Sequence, residues 1–174
     1  GAGAAGCVLA DRLTEDPSIR VLLLEFGGRD SNPLLYIPKG FYFTLQGDRY
    51  CYHYPTQPVG PGGRPETWTR GKVGGGSTSV NGMMYIRGAR ADYDAIVERG
   101  NPGWGWDAML PVFRTLEDHD LGPSPSRGAG GPLGVSVPTR DDQVCETILG
   151  AAEKMGLRRT ADVNEGDDDR IGLT

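Results

Sequence analysis

The feature that most constrains this chain is the glycine spacing with which it opens, followed by an acidic residue at a fixed distance. Gly1, Gly3 and Gly6 form the pattern G-x-G-x-x-G, and Glu25 stands about 20 positions further on, as in a dinucleotide-binding fingerprint. The first glycine permits a tight turn, the second lets the backbone approach a pyrophosphate, and the third allows close packing of helix on sheet. The pattern predicts a nucleotide site in which Glu25 accepts hydrogen bonds from a ribose hydroxyl.

The segments between the glycines and Glu25 support this interpretation. Residues 4–14 repeat apolar side chains at helical spacing, and Asp16-Pro17 is expected to end the helix. The apolar run at residues 19–24 predicts a parallel strand buried on both faces. The strand that should precede the glycines is absent from the chain, so we expect the first strand of the sheet to be missing. The glycines alone would equally fit a turn that binds nothing.

The composition favours a folded, loop-rich domain that has no basic surface. Hydrophobic residues make up 37% of the 174, despite 28 Gly and 13 Pro, and the net charge is −5. This charge provides no basic surface that would bind nucleic acid or an anionic membrane, and no apolar run is long enough for a transmembrane segment.

The cysteines and histidines indicate neither a redox motif nor a metal site. Cys7, Cys51 and Cys145 form no C-x-x-C pair and favour a reducing, cytoplasmic compartment. His53 and His119 lack metal-ligand spacing, so we expect no metal site.

Residues 27–69 are punctuated by Gly, Pro, Asp and Asn and carry a dense group of aromatic side chains. Neither a helical nor a strand period persists, so we expect an extended irregular excursion with one short helix at most. Irregular loops of this length are usually functional or disordered. The rings either pack against a planar cofactor or attach the loop to the rest of the domain.

Residues 70–88, with the sequence RGKVGGGSTSVNGMMYIRG, form a second informative stretch. Three consecutive glycines followed by hydroxyl side chains supply flexible backbone and donors that can surround an anion. Arg70 and Lys72 add positive charge suited to a diphosphate. A Gly/Ser linker is the alternative, but the apolar residues 83–86 follow at once and should be buried. We therefore favour a loop that contacts a cofactor.

The remaining residues predict helices and short connections. We expect a helix at residues 92–99, a second helix after Asp107 as its N-cap, and a short strand at residues 135–137. Thr139 begins a pattern that resembles a capping box and opens a third helix. The acidic residues 162–169 are expected to form a solvated loop.

Together these stretches resemble the N-terminal part of the glucose-methanol-choline (GMC) family of FAD-dependent oxidoreductases, above all its choline dehydrogenase-like branch. The likeness rests on GAGAAG, ADRLTEDPSIRVLLLE, RYCYHYPTQP, RGKVGGGSTSVNGMMYIRGARADYDA and GWGWDAMLPVFRTLED, and covers nearly the whole chain. The resemblance implies an α/β fold: a partial, Rossmann-like (doubly wound) FAD-binding domain over residues 1–174. This domain would have long irregular insertions and no first strand.

The resemblance also assigns residues to FAD. The residues implied are Gly1, Gly3 and Gly6 at the pyrophosphate, Glu25 at the adenosine ribose, and Arg70, Gly75, Gly76, Ser77, Asn81, Gly82 and Met83 along the diphosphate, ribityl chain and flavin. In some members a histidine of this loop is joined covalently to the flavin. The corresponding place is Val80 here, so we predict non-covalent FAD. Tyr52 stands where many members carry Trp.

The implied activity is oxidation of a primary alcohol, a small molecule that gives up its hydroxyl proton to a base and a hydride to the flavin. The family's catalytic histidine has no counterpart in the chain, so no catalytic residue is assigned and the chain alone is expected to be inactive. The electron acceptor is not identified by the sequence. Two alternatives stay open: a truncated, non-catalytic remnant, and the NAD-binding domain of another dehydrogenase, against which the aromatic excursion and the glycine-rich loop count.

Overall fold

The computed structural model describes residues 1–60, 62–138 and 142–173. The chain divides into an N-terminal unit, Gly1–Met84, and a C-terminal unit, Tyr85–Thr174. The helices are α1 (Ala4–Leu13), α2 (Phe41–Thr44), α3 (Arg90–Glu98), α4 (Trp106–Leu116) and α5 (Gln143–Lys154). The strands are β1 (Cys51–Pro55), β2 (Thr67–Gly71), β3 (Glu117–His119), β4 (Leu133–Val135), β5 (Arg158–Arg159) and β6 (Arg170–Ile171). No helix in these ranges is long and apolar enough to cross a bilayer.

Helix α1 forms as predicted, but the strand expected at residues 19–24 does not. No strand of the described residues pairs with this segment, and its apolar side chains are largely exposed, Leu22 at 82% and Leu24 at 72%. A parallel strand depends on neighbours that take up its backbone hydrogen bonds and on helices that cover its faces. The apolar run is therefore unpaired here, and the prediction of a strand buried on both faces is wrong for the chain as described.

A β-hairpin occupies part of the region expected to be irregular. Strands β1 and β2 pair antiparallel, with Cys51 opposite Gly71 and Pro55 opposite Thr67. The pairing joins segments that are separated by a long connection, which local periodicity does not reveal. The prediction that residues 27–69 contain no strand is wrong. The expectation of one short helix at most holds for α-helix, as α2, but two 3₁₀ turns, Pro33–Leu35 and Pro38–Gly40, precede it.

The core of the N-terminal unit lies behind the glycine-rich loop. Val73 and Val80, at the two ends of this loop, are buried together with Cys51, and Leu35, Leu45 and Tyr50 pack against them. Burial raises the pKa of the Cys51 thiol, whose Sγ donates to the carbonyl oxygen of Thr44 over 3.4 Å. The loop is thus fixed at both ends by apolar contacts while the glycines between them stay accessible.

The C-terminal unit contains a buried ion pair between Arg87 and Glu117. The Tyr85 hydroxyl donates to Glu117 Oε1 at 2.7 Å, and the Gly128 amide donates to Oε2 at 2.8 Å. Arg87 Nη1 donates to the Ser126 carbonyl oxygen at 2.7 Å. Because each charge has several partners, burial of the pair is compensated and the loop around Gly128 is tied to strand β3.

Most of the acidic residues at 162–169 lie in an exposed loop, as predicted, but Asp162 does not. Asp162 is 4% exposed and pairs with Arg127 at 3.2 Å. Arg158 pairs with Asp168 at 2.6 Å, and its guanidinium lowers the pKa of that carboxyl to about 2. Arg127, which pairs with Asp162, lies far away in the sequence. The local run of acidic residues therefore does not reveal that this charge is compensated.

Three boundaries in the C-terminal unit differ from expectation. Helix α4 begins at Trp106 after Gly105 as N-cap, so Asp107 lies in the first turn instead of capping it. Strand β4 lies two residues before the predicted position. Asp142 caps α5 by accepting from the amides of Val144 and Cys145, whereas Thr139 lies outside the described residues.

Substitution of Glu117 by Ala is expected to destabilise the protein by about 3–5 kcal/mol, because it leaves the buried Arg87 charge without its carboxylate. The measurement is urea-induced unfolding followed by circular dichroism. The control is Asp120→Ala, which removes an exposed carboxylate nearby and should change stability by about 0.5 kcal/mol or less. Equal midpoints for the two variants would contradict this account of the buried pair.

Candidate nucleotide-binding site

The N-terminus of α1 presents backbone amides that no side chain satisfies. Gly3 is the N-cap, in extended conformation, and the first turn carries no acidic residue. The amide of Cys7 makes the first helical hydrogen bond, to the Gly3 carbonyl oxygen at 2.9 Å. The amides of residues 4–6 therefore have no acceptor within the helix. Together with the positive end of the helix dipole they favour an anion.

The carboxylate of Glu25 lies directly against the opening turn. Its Oε2 accepts from the Ala2 amide at 2.7 Å and its Oε1 accepts from the Gly27 amide at 2.8 Å. The Gly27 amide, followed by the Ala2 amide, lowers the pKa of this exposed carboxyl. Glu25 is therefore ionised at neutral pH, and each oxygen keeps a lone pair for a further donor.

The glycine-rich loop reaches the same turn through its backbone. The Gly75 amide donates to the Ala2 carbonyl oxygen at 2.8 Å. Gly76 has φ +59°, and a Cβ on it would stand 2.9 Å from the Cα of Gly3. Only glycine fits this approach without displacement of the backbone. Ala2 thus joins three parts of the chain, since it bonds to Glu25 through its N–H and to Gly75 through its C=O.

These segments surround a cleft of about 640 Å³. Its lining consists of Gly1, Gly3, Ala4, Ala5, Gly6, Leu24, Glu25, Phe26, Tyr52, Gly71, Gly76, Ser77 and Thr78. Six of the residues predicted for the site are in this list: Gly1, Gly3, Gly6, Glu25, Gly76 and Ser77. Gly75 stands next to it through its bond to Ala2.

The other four predicted site residues do not line this cleft. The guanidinium of Arg70 lies over the Trp68 ring, 5.0 Å from its centroid, and donates to the Thr69 carbonyl oxygen at 2.8 Å. Asn81 Oδ1 accepts from the Met83 amide at 2.9 Å, and Met83 has φ +60°, which is unusual for a residue other than glycine. The roles of Arg70, Asn81, Gly82 and Met83 at a flavin stay predictions.

Aromatic residues form one wall that the sequence did not assign to the site. Tyr52 stacks on Tyr54 with 5.5 Å between ring centroids and lies 5.9 Å from the ring of Phe26. Lys72 Nζ lies 5.2 Å from the centroid of the Tyr52 ring. The sequence feature that could have assigned Tyr52 to the site is its position in the segment RYCYHYPTQP, which resembles the family. Gly71 was also missed, because only the fold shows that a Cβ there would meet the Gly76 carbonyl group at 2.2 Å.

His53 has a structural position beside β2. Its Nδ1 lies 3.1 Å from Thr69 Oγ1 and its Nε2 lies 3.1 Å from the Gly47 carbonyl oxygen. Both ring nitrogens are therefore engaged within the hairpin region. In the described part of the chain no group of three His, Cys, Asp or Glu side chains is arranged to hold a metal ion.

Comparison with known proteins decides the family. The family model described as GMC oxidoreductase matches residues 1–173. The chain belongs to the GMC oxidoreductase family. Human mitochondrial choline dehydrogenase is 44% identical over 173 residues, which cover 94% of this chain and 29% of the relative. Oxygen-dependent choline dehydrogenase of Xanthomonas campestris pv. campestris is 43% identical, with 94% and 30% covered. The chain spans about 30% of the length of these GMC relatives.

Solved structures of two oxidising enzymes agree with the fold. Pyridoxine 4-oxidase from Mesorbium loti superposes with a TM-score of 0.85 at 40% identity, over 95% of this chain and 33% of that protein. A FAD-dependent oxidoreductase from Chaetomium thermophilum gives a TM-score of 0.78 at 31% identity, over 98% and 31%. The predicted family and the predicted partial α/β FAD-binding fold are confirmed.

Substitution of Gly6 by Ala is expected to destabilise the opening turn, because the new Cβ would stand 2.0 Å from the Gly1 carbonyl oxygen. Overpacking of this kind lowers the free energy of unfolding by about 1–3 kcal/mol. The control is Gly150→Ala within α5, where no atom lies within 4 Å of the added Cβ. It should stabilise the protein by about 0.5–1 kcal/mol. Chemical unfolding measures the free energy of unfolding of both variants. An unchanged stability of Gly6→Ala would contradict the close contact between position 6 and the Gly1 carbonyl oxygen.

Proposed function

We propose that this chain binds FAD non-covalently in an enzyme that oxidises a small-molecule alcohol. The observation that carries the proposal is the meeting of three segments at Ala2, where unsatisfied helix amides, an ionised carboxylate and a glycine-only backbone contact border one cleft. Membership of the GMC oxidoreductase family supports it, as do relatives named choline dehydrogenase and a structural neighbour named a FAD-dependent oxidoreductase.

The residues present fit the diphosphate of FAD. Residues 4–6 offer amides without helical acceptors, and Gly1, Gly3 and Gly6 keep this end of α1 clear of side chains. Gly76 approaches Gly3 so closely that a side chain on it would fill the cradle. A volume of about 640 Å³ lies within the range of about 300–1,000 Å³ for small-molecule and cofactor sites.

Glu25 fits the ribose end of the cofactor. Ionised carboxylate oxygens only accept hydrogen bonds, so they repel phosphate and attract hydroxyl groups. The two amides that already bind Glu25 fix its orientation without using all its lone pairs. The ribose hydroxyls of an adenosine are suitable donors, whereas a 2′-phosphate would be repelled. The site therefore favours FAD over a nucleotide that carries a phosphate on the ribose 2′ oxygen.

Val80 supports non-covalent binding. This residue occupies the place at which some family members carry the histidine that is joined to the flavin. Its side chain is 3% exposed, packs with Cys51 and Val73, and has no nucleophilic atom. We therefore propose that hydrogen bonds and packing alone retain the cofactor.

Bound FAD would supply the hydride acceptor for alcohol oxidation. The part of this chain is to bind and orient it: the opening turn and Gly76 hold the diphosphate, and Glu25 holds the ribose. Arg70, Asn81, Gly82 and Met83 are proposed to continue along the cofactor towards the flavin. Choline is the first alcohol to test, because it is the substrate named in the relatives' titles.

The absorbance spectrum of the purified protein tests the proposed function. We expect flavin bands and release of the yellow colour into the supernatant on acid precipitation. Because no catalytic residue is assigned to this chain, bleaching of the bands by choline or another small alcohol without oxygen is expected only of a protein that also carries the family's catalytic histidine. Colour in the precipitate would contradict non-covalent binding. Absence of flavin bands after reconstitution with FAD would contradict FAD binding itself, and failure of every alcohol to bleach the bands of a protein that also carries that histidine would contradict the activity.

Substitution of Glu25 by Gln is expected to lower the affinity for FAD about tenfold, since it replaces hydrogen bonds to a charged acceptor by neutral ones. The dissociation constant is measured by titration of the apoprotein with FAD. The control is Glu66→Gln, which alters an exposed carboxylate of the same unit without any side-chain hydrogen bond among the described residues. Equal affinities for the two variants would contradict the role given to Glu25.

A further inference from the structure

The N-terminal unit contains a second cleft, of about 530 Å³, that shares no lining residue with the opening-turn cleft. Arg29, Ser31, Asn32, Arg49 and Tyr50 contribute its polar side chains, and no acidic side chain lines it. Within the described residues neither arginine makes an ion pair. Two exposed guanidinium groups therefore stand at one cleft without a carboxylate partner among the described residues.

The hydrogen bonds around Tyr50 make its hydroxyl a donor into this cleft. Asn32 Oδ1 accepts from the Leu34 amide at 2.9 Å, which assigns the oxygen of the side-chain amide. Asn32 Nδ2 therefore donates to the Tyr50 hydroxyl oxygen at 2.6 Å. Because the oxygen is used as an acceptor, the phenol proton is left to donate, and no acceptor for it is present in the described part of the chain.

The donors stand on an ordered framework. The guanidinium of Arg49 lies over the Tyr50 ring, 5.1 Å from its centroid, which restricts its orientation. The same ring packs against the buried core of the unit. Asn32 caps the 3₁₀ turn Pro33–Leu35, so its own position is fixed by the backbone. The lining thus combines two charged and two hydroxyl donors, with Asn32 fixing the direction of one of them.

We propose that this cleft binds a small molecule through an oxyanion, a phosphate or a carboxylate. Arg29 and Arg49 balance the charge, and Tyr50 and Ser31 donate hydrogen bonds to its oxygens, which is the chemistry that such anions require. The site is separate from the one proposed for FAD, whose diphosphate is matched by the amides at α1. The cleft volume exceeds that of the anion alone and leaves room for an organic body.

The test is calorimetric titration of the FAD-loaded protein with inorganic phosphate and, separately, with succinate. Saturable binding of either probe is expected, and Arg49→Gln and Tyr50→Phe should each weaken it about tenfold, as for loss of a hydrogen bond to a charged group. Tyr50→Phe keeps the ring that packs in the core. The control is Arg20→Gln, which removes an exposed arginine outside the cleft and should leave the affinity unchanged.

Preference for phosphate or for succinate identifies the class of oxyanion, and both results support the site. Absence of saturable binding of both probes overturns it. Equal weakening by Arg20→Gln and Arg49→Gln also overturns it, because the effect would then depend only on net charge. Flavin absorbance of the same samples reports on the FAD site independently, so failure of this inference and failure of the proposed function give different results.

Discussion

The candidate nucleotide site depends on the two backbone hydrogen bonds of one residue, Ala2. The N–H of Ala2 donates to Glu25 and its C=O accepts from Gly75, so the opening turn, the acidic residue and the glycine-rich loop are held at one place. Backbone atoms can make such a junction only where no side chain intervenes, which explains the glycine at position 76. The geometry of the cleft follows from the junction.

Burial supports the side of this junction that the glycine-rich loop forms. Val73 and Val80 anchor the glycine-rich loop in the core of the N-terminal unit, so that its accessible residues are positioned without side-chain contacts of their own. The C-terminal unit uses a buried ion pair instead, in which Arg87 and Glu117 have further hydrogen-bond partners, although Arg87 Nε has none among the described residues. Removal of one partner from such a pair is costly, because the remaining charge cannot return to water.

The sequence predicted what is encoded locally. The spacing of glycines and Glu25 indicated the nucleotide turn and α1, and motif likeness indicated the family. What it could not show were contacts between distant segments: the β1–β2 pairing, and the arginine that neutralises Asp162. The apolar run at residues 19–24 has the local pattern of a strand, but a strand forms only where neighbouring strands pair with it. The described residues supply no such neighbour, so the prediction was wrong.

Hydrogen exchange at the amides of residues 4–6, with and without FAD, shows whether the opening turn holds the diphosphate. These amides have no acceptor within α1, so they should exchange rapidly in the apoprotein and become protected when the diphosphate binds. We expect exchange at these amides to slow markedly on addition of FAD, with smaller changes in the later turns of α1. Full occupancy by FAD with unchanged exchange at residues 4–6 would contradict this expectation.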